Sequence, residues 1–175
     1  MRSLVSVSQI RTQVEKRSMI KLVKAQLSDI TAMRELVVSE VKDGIILERS
    51  EDEIATNIRS YVLAKDSAKE DKLVGYAALH IHSRRLAEIR SFIVDEAYRG
   101  EKIGQSLVKF TLEEAVNLGV EEDVLVLTYL PGYFEKLGFV EMNKELIPEH
   151  KIWADCIKCI HFPVCNEVAL VYKVV

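Results

Sequence analysis

The run Tyr98-Arg99-Gly100-Glu101-Lys102-Ile103-Gly104-Gln105-Ser106 has the composition of a phosphate cradle. It joins a strand-like stretch, Ile89 to Val94, to a helix-like one, Gln105 to Leu118. Small residues let the chain turn tightly at the start of the helix. Unpaired backbone N–H groups and the positive end of the helix dipole then face outward, and a diphosphate is a natural occupant. An arginine and two glycines before a helix also occur where the turn needs only glycine geometry, so that reading stands beside the first. Just upstream, Glu88, Arg90, Phe92 and Val94 share one face of an extended strand, and Ile89, Ser91 and Ile93 share the other. A carboxylate and a guanidinium therefore stand side by side, as a proton-transfer site would need or as a surface ion pair would leave them.

Cys156, Cys159, His161 and Cys165 hold every thiol in the chain within ten residues. Three thiols and an imidazole can complete a tetrahedral structural zinc site. Zinc ligands usually come in two well-separated pairs, however, and a compact cluster can equally be buried thiols. No metal ligand is assigned. His80 and His82 alternate on one strand face with no third ligand near them in sequence, and are read as half-exposed strand residues.

Those residues need a scaffold, and 175 residues suffice for one domain with a substantial core. The composition, 49% hydrophobic and 29% charged with 7 glycines and 3 prolines, is that of an ordinary globular chain without long disordered tracts. A net charge of -3 argues against a nucleic-acid partner, which would need a concentrated basic face. No apolar run approaches the roughly 20 residues of a membrane span. Residues 1–18 carry Arg2, Arg11, Lys16 and Arg17 against one acid, Glu15. They are read as a loosely ordered extension, with residues 19–175 as the domain, Met19 as the functional start and the cytoplasm as the location.

Apolar spacing supplies the elements. Ile20 to Lys24 reads as a strand, and Ser28 as the N-cap of a helix with Ile30, Met33 and Val37 on one face. After a polar loop from Asp43 to Arg49, Ser50 and Glu53 form a capping-box pattern. Ile54, Ile58, Tyr61 and Val62 continue it as a helical stripe that turns into a strand near Tyr61. Leu73 to His82 and Leu86 to Val94 make a meander. Val108, Leu112, Ala115 and Val116 mark the buried face of a helix ending at Gly119. Val124 to Leu127 reads as a central strand, Gly132 to Leu137 as a short helix, and Phe139 to Asn143 with Val168 to Val174 as the last strand pair. The fold class is α/β, or α+β: a mixed, mostly antiparallel sheet flanked by helices.

Ala87 to Gln105, followed by Tyr133-Phe134-Glu135-Lys136-Leu137-Gly138-Phe139, resembles the GCN5-related N-acetyltransferase superfamily. The resemblance implies the acetyltransferase fold and acetyl-CoA as co-substrate. Its pantetheine arm is expected to bond the backbone of Phe92, Ile93 and Val94 like an added strand. Its pyrophosphate would sit over Arg99, Gly100, Glu101, Lys102, Ile103, Gly104 and Gln105. Lys102 stands where the family usually has its middle glycine, so the backbone there is expected to avoid φ > 0. Glu88 is the candidate base, acting through water or with its pKa raised by burial. The family's thiolate-protonating tyrosine falls at Phe134 here, one residue after Tyr133. The general acid is therefore Tyr133, with Tyr129 or water as alternatives.

Three further segments narrow the resemblance: Gly44 to Ser50, Ala87 to Ser91, and His150-Lys151-Ile152-Trp153-Ala154-Asp155-Cys156. From about Met19 onward they look like the stand-alone amino-acid N-acetyltransferases that make N-acetylglutamate for arginine biosynthesis. A small-molecule amino acid is the implied partner, and a dicarboxylate acceptor calls for cations in forked geometry, for which Arg49, Arg90 and Lys151 are the candidates. Control by arginine through an amino-acid-kinase-like domain is not expected, since nothing of that kind precedes Met19. Exposed strands leave room for a homodimer. Another amine acceptor, or a coenzyme A-binding sensor without activity, are the competing readings.

Overall fold

The computed structural model describes residues 18–174, and the expectation for the N-terminal extension lies outside them apart from Ser18. Seven strands form one sheet in the order β1-β2-β3-β4-β5-β7-β6. They are β1 (Ile20–Lys24), β2 (Tyr61–Asp66), β3 (Lys72–Ile81), β4 (Leu86–Val94), β5 (Asp123–Thr128), β6 (Val140–Glu141) and β7 (Val168–Lys173). Neighbours are antiparallel except β4 and β5, which run parallel. The expected mixed, mostly antiparallel sheet is the one found.

Helices cover both faces. On one side α1 (Ile30–Leu36), α2 (Val38–Lys42) and α3 (Glu51–Thr56) pack Met33, Ile30 and Ile54 against Tyr61, Leu63, Tyr76 and Ile93. On the other, α4 (Ile103–Leu118) buries Ile103, Leu107, Val108 and Ala115 against Val62, Val74, Leu79 and Ile89. Val116, expected on that buried face, is 55% exposed; Leu107 and Thr111 fill the stripe instead. Each fully buried aliphatic side chain in these layers contributes about 1.5–3 kcal/mol.

Local chemistry sets the ends that matter for the site. The Ser50 hydroxyl accepts from Glu53 N–H and the Glu53 carboxylate accepts from Ser50 N–H, the reciprocal cap expected. That cap fixes Arg49, one residue before it. Ser28 does not cap the first helix; a 3-10 turn over Leu27–Asp29 intervenes, capped reciprocally by Gln26 and Asp29. Gly119, at φ +79, ends α4 as a left-handed cap. The short α5 (Pro131–Glu135) and α6 (Glu149–Ala154) frame the C-terminal side of the sheet, and α6 is an element the sequence pattern did not announce.

Two irregularities open the sheet. β4 pairs with β5 only from Leu86 to Ile89, so beyond Ile89 the parallel strands separate. Opposite β3, the register slips between Tyr76 paired with Ile93 and Ala78 paired with Arg90, leaving Ser91 and Phe92 opposite a single residue. Ser91 takes φ +53 to make this bulge. The bulge corrects the simple alternation expected along β4. Phe92 and Val94 pack with Ile89 on the α4 side, while Ile93 packs on the α1 side.

Candidate active site

A cleft of about 1650 Å³ opens where β4 and β5 part, and it has two chemically distinct halves. One is lined by Phe92 to Val94, by Arg99, Gly100 and Lys102 to Gln105, and by Tyr133. The free edge of β4 supplies backbone groups there, and α4 begins at the far end, where its first N–H groups have no helical partner. Gly100 is at φ +89 and Lys102 at φ +61. The expectation that Lys102 avoids positive φ is therefore wrong: the loop keeps its left-handed shape with a lysine in it, at a cost of about 1–2 kcal/mol relative to glycine. Glu101, grouped with this loop from sequence, is exposed, accepts from the Ser18 hydroxyl and does not line the cleft.

Gly104 has a packing reason to lack a side chain. A Cβ there would clash with the Tyr133 hydroxyl and lie 3.0 Å from Phe92 Cζ. The Tyr133 phenol thus lies over the first turn of α4, and burial pushes its pKa up. Phe134, the next residue, is 2% exposed and belongs to the core. Tyr129 also lines the cleft, edge-on to the His161 ring at 6.2 Å between centroids.

The other half is a cluster of buried charges centred on Asp155. Its Oδ1 accepts from Arg49 at 2.6 Å; its Oδ2 accepts from Lys151 at 2.9 Å and from Arg90 at 3.1 Å. Lys151 also lies 2.7 Å from Glu88 Oε1. The sequence candidates Arg49, Arg90, Lys151 and Glu88, drawn from three parts of the chain, therefore meet at one place. Arg49 comes from the loop before α3, Arg90 and Glu88 from β4, and Lys151 from α6.

Electrostatics in this half are set by proximity. Burial alone would push the Glu88 carboxyl up, but the His82 hydrogen bond and the Lys151 charge hold it below the usual carboxylate range. The balance of its neighbours thus runs against the burial-raised pKa expected for Glu88. Burial likewise works against the charge on Asp155, and the Arg49 hydrogen bond with the Lys151 charge outweighs it, leaving that carboxyl far below its ordinary value. Lys151 loses by burial and regains more from Glu88 and Asp155, so its pKa is raised. Within this cluster three cations face two carboxylates, and Glu167 stands close to Lys151 and Glu88. The Nε atoms of Arg49 and Arg90 are buried without a hydrogen-bond partner. Buried guanidinium donors normally find an acceptor, so these are suited to receive one.

Four residues here were not singled out as chemical groups from sequence. Asp155 and His150 lie within the quoted 150–156 segment without an assigned role. His82 lies just past the end of β3 and is half-buried as a residue, but its side chain is only 3% exposed and its Nε2 lies 2.7 Å from Glu88 Oε2. Burial, with the Arg90 charge, lowers the neighbouring His80 to about 4. Glu167, just before β7, lines the cleft with a pKa raised by burial, and no periodicity marked it. Cys156 and Cys159 are half-buried and Cys165 exposed. Among the described residues no group of three or more His, Cys, Asp or Glu side chains converges to hold a metal ion.

A splayed sheet, a phosphate-type loop at a helix start and a tyrosine over that start define a coenzyme A-dependent acyltransferase. The comparisons agree. The Acetyltransferase (GNAT) family profile matches residues 30–139, and the chain belongs to that family. An uncharacterized N-acetyltransferase of Chlorobaculum tepidum is 35% identical over 84% of this chain and 92% of its own. An amino-acid acetyltransferase of Mycobacterium tuberculosis is 32% identical over 69% of this chain and 68% of its own. Among solved structures, N-acetylglutamate synthase from Neisseria gonorrhoeae, complexed with coenzyme A and N-acetyl-glutamate, superposes with a TM-score of 0.78. It is 20% identical, and the match covers 91% of this chain and 36% of that one, so it speaks to the fold.

Proposed function

We propose that this acetyltransferase moves the acetyl group of acetyl-CoA to the α-amine of L-glutamate, giving N-acetylglutamate for arginine biosynthesis. The observation that carries the reading is the convergence of Arg49, Arg90 and Lys151 in one buried wall of the cleft, with two guanidinium Nε donors left without acceptors. An acceptor with two carboxylates supplies the missing acceptors. A polyamine or other cationic acceptor would meet repulsion there. The amino-acid acetyltransferase relative supports the same acceptor class.

In this reading the pantetheine arm adds to the open edge of β4 at Phe92 to Val94, and the pyrophosphate sits over Arg99 to Gln105. The amine nitrogen attacks the thioester carbonyl directly. Backbone N–H groups along the freed edge of β4 meet the oxyanion as it forms. Glu88 accepts the proton lost by the ammonium, through water or a neighbouring group, because its low pKa keeps it ionised and ready but unable to store the proton. The C–S bond breaks, Tyr133 protonates the departing thiolate, and the second proton shed by the newly acetylated nitrogen restores the phenol. Its raised pKa keeps the phenol protonated across the physiological range, as an acid requires.

Thiol release from acetyl-CoA in the presence of glutamate tests the reading, with Arg49→Ala as the control. Losing one forked cation should raise KM for glutamate about 10- to 100-fold while KM for acetyl-CoA stays put. Equal glutamate kinetics in the variant and the parent would remove Arg49 from the acceptor site.

A further inference from the structure

An amino acid presents its nitrogen as an ammonium, and two of the carboxylates around Lys151 are not free to meet it. Glu88 is 2% exposed, with Oε1 2.7 Å from Lys151 and Oε2 2.7 Å from His82 Nε2. Both Asp155 oxygens are taken, by Arg49 on one side and by Lys151 and Arg90 on the other. Glu167 is the third carboxylate near Lys151, and among the described residues it has no ion pair. Its hydrogen bond is from the Cys165 thiol, a weak donor 3.8 Å from Oε2. The strands fix where it stands. Thr128 pairs with Val168 at the end of the β5–β7 ladder, and β5 has left β4 after Val126, so Glu167 lies at the open end of the sheet. Val168, Leu170 and Tyr172 pack toward α4, which turns Glu167 to the face that carries Glu88 and Arg90, where it lines the cleft.

We propose that Glu167 is the counter-ion of the acceptor's ammonium group and makes the site select a zwitterion. The guanidinium donors of Arg49 and Arg90 take carboxylate, and Glu167 takes the ammonium from the β7 side. The inference rests on the amino-acid acceptor reading, and adds the group that holds the nitrogen.

Burial works against the charge on Glu167, and the Lys151 charge offsets only part of that. An ammonium beside it therefore satisfies a carboxylate that the fold itself leaves short of donors. A dicarboxylate without an amine meets the same arginines but finds only repulsion at Glu167. An amine without carboxylates meets Glu167 but leaves the arginine donors unanswered. Each end of the site thus rejects what lacks the matching end of an amino acid.

The test compares L-glutamate with glutarate, which has the same two carboxylates and no amine. Both are titrated calorimetrically into protein saturated with coenzyme A, so that no turnover occurs. The parent should bind glutamate about 10- to 100-fold more tightly than glutarate. Glu167→Gln should close most of that gap from one side only: glutamate weakens, while glutarate binds as well or better because the repelling charge is gone. Glu167→Asp keeps the charge but withdraws it by one methylene, so its gap should fall in between; it serves alone if the glutamine variant does not fold. A gap of parental size in either variant, or equal weakening of both ligands as a merely structural role would give, would overturn the inference. Arg49→Ala run alongside separates the two claims. If it weakens both ligands while Glu167→Gln keeps the parental gap, only the Glu167 assignment falls; if the parent binds neither ligand, the dicarboxylate reading falls and takes this inference with it.

Discussion

Asp155→Asn is the most searching perturbation of the charged cluster. The substitution keeps side-chain shape but removes the negative charge to which Arg49, Arg90 and Lys151 all donate. The side chains concerned are 6% exposed for Asp155, 13% for each arginine and 5% for Lys151, so solvent screens little of the loss. Breaking a buried ion pair by removing one partner costs about 3–5 kcal/mol, because the other charge is left uncompensated. For a chain of this size each kcal/mol moves Tm by about 2–4 °C, so the expected drop is about 6–20 °C. The pH dependence has a definite sign. The folded pKa of Asp155 lies well below its unfolded value of about 3.9. Its contribution is therefore fully present above about pH 4 and is lost as pH falls toward the folded value. Thermal unfolding followed by circular dichroism should show a constant gap between parent and variant from pH 5 to pH 8 that narrows below pH 4. Adding Arg49→Met to Asp155→Asn should recover part of the stability, since Arg49 makes no other ion pair among the described residues and Lys151 keeps Glu88. A drop below about 1 kcal/mol, the size of an exposed pair, would refute the view of Asp155 as a buried hub.

Two further outcomes concern the donor half. Gly104→Ala should displace the Tyr133 phenol, costing about 1–3 kcal/mol of stability; steady-state assays should show kcat lowered about 10-fold, and a parental kcat would remove the need for that contact. Lys102→Gly should relieve the left-handed lysine, so stability changes by less than about 1 kcal/mol once the added chain entropy of glycine is counted. KM for acetyl-CoA should rise about 10-fold at low salt and less at high salt, as expected if Lys102 contributes charge to the diphosphate site.

The sequence made the scaffold readable where apolar spacing was local. β1 and β4 fall where alternation put them, and the Ser50 and Glu53 box marks the start of α3. β2 was blurred because Tyr61 to Ala64 are buried on both faces, giving a run that extends the helical stripe from Ile54 without a break. The bulge in β4 left no trace because its left-handed residue is Ser91, where a glycine would have signalled it. That single displacement is why Glu88 and Arg90 leave the face that carries Phe92. Of the site, the cations were singled out through the family resemblance, but Asp155 and His82 were not. An aspartate one residue before a cysteine and a histidine at a strand end acquire meaning only when α6 packs against the end of β3. The contacts of Asp155 with Arg90 and of His82 with His150 span 65 or more positions and depend on tertiary closure, whereas His82 meets Glu88 locally across the β3–β4 turn.

The central claim is tested most directly by giving the purified protein isotopically labelled acetyl-CoA and an equimolar mixture of the free amino acids with a polyamine and a short peptide. Acetylated products are then identified by mass spectrometry. N-acetylglutamate should be the dominant product, and it should fall away in Arg49→Ala. Acetylation of another amine ahead of glutamate, or thioester loss without any acetylated amine, would contradict the assignment.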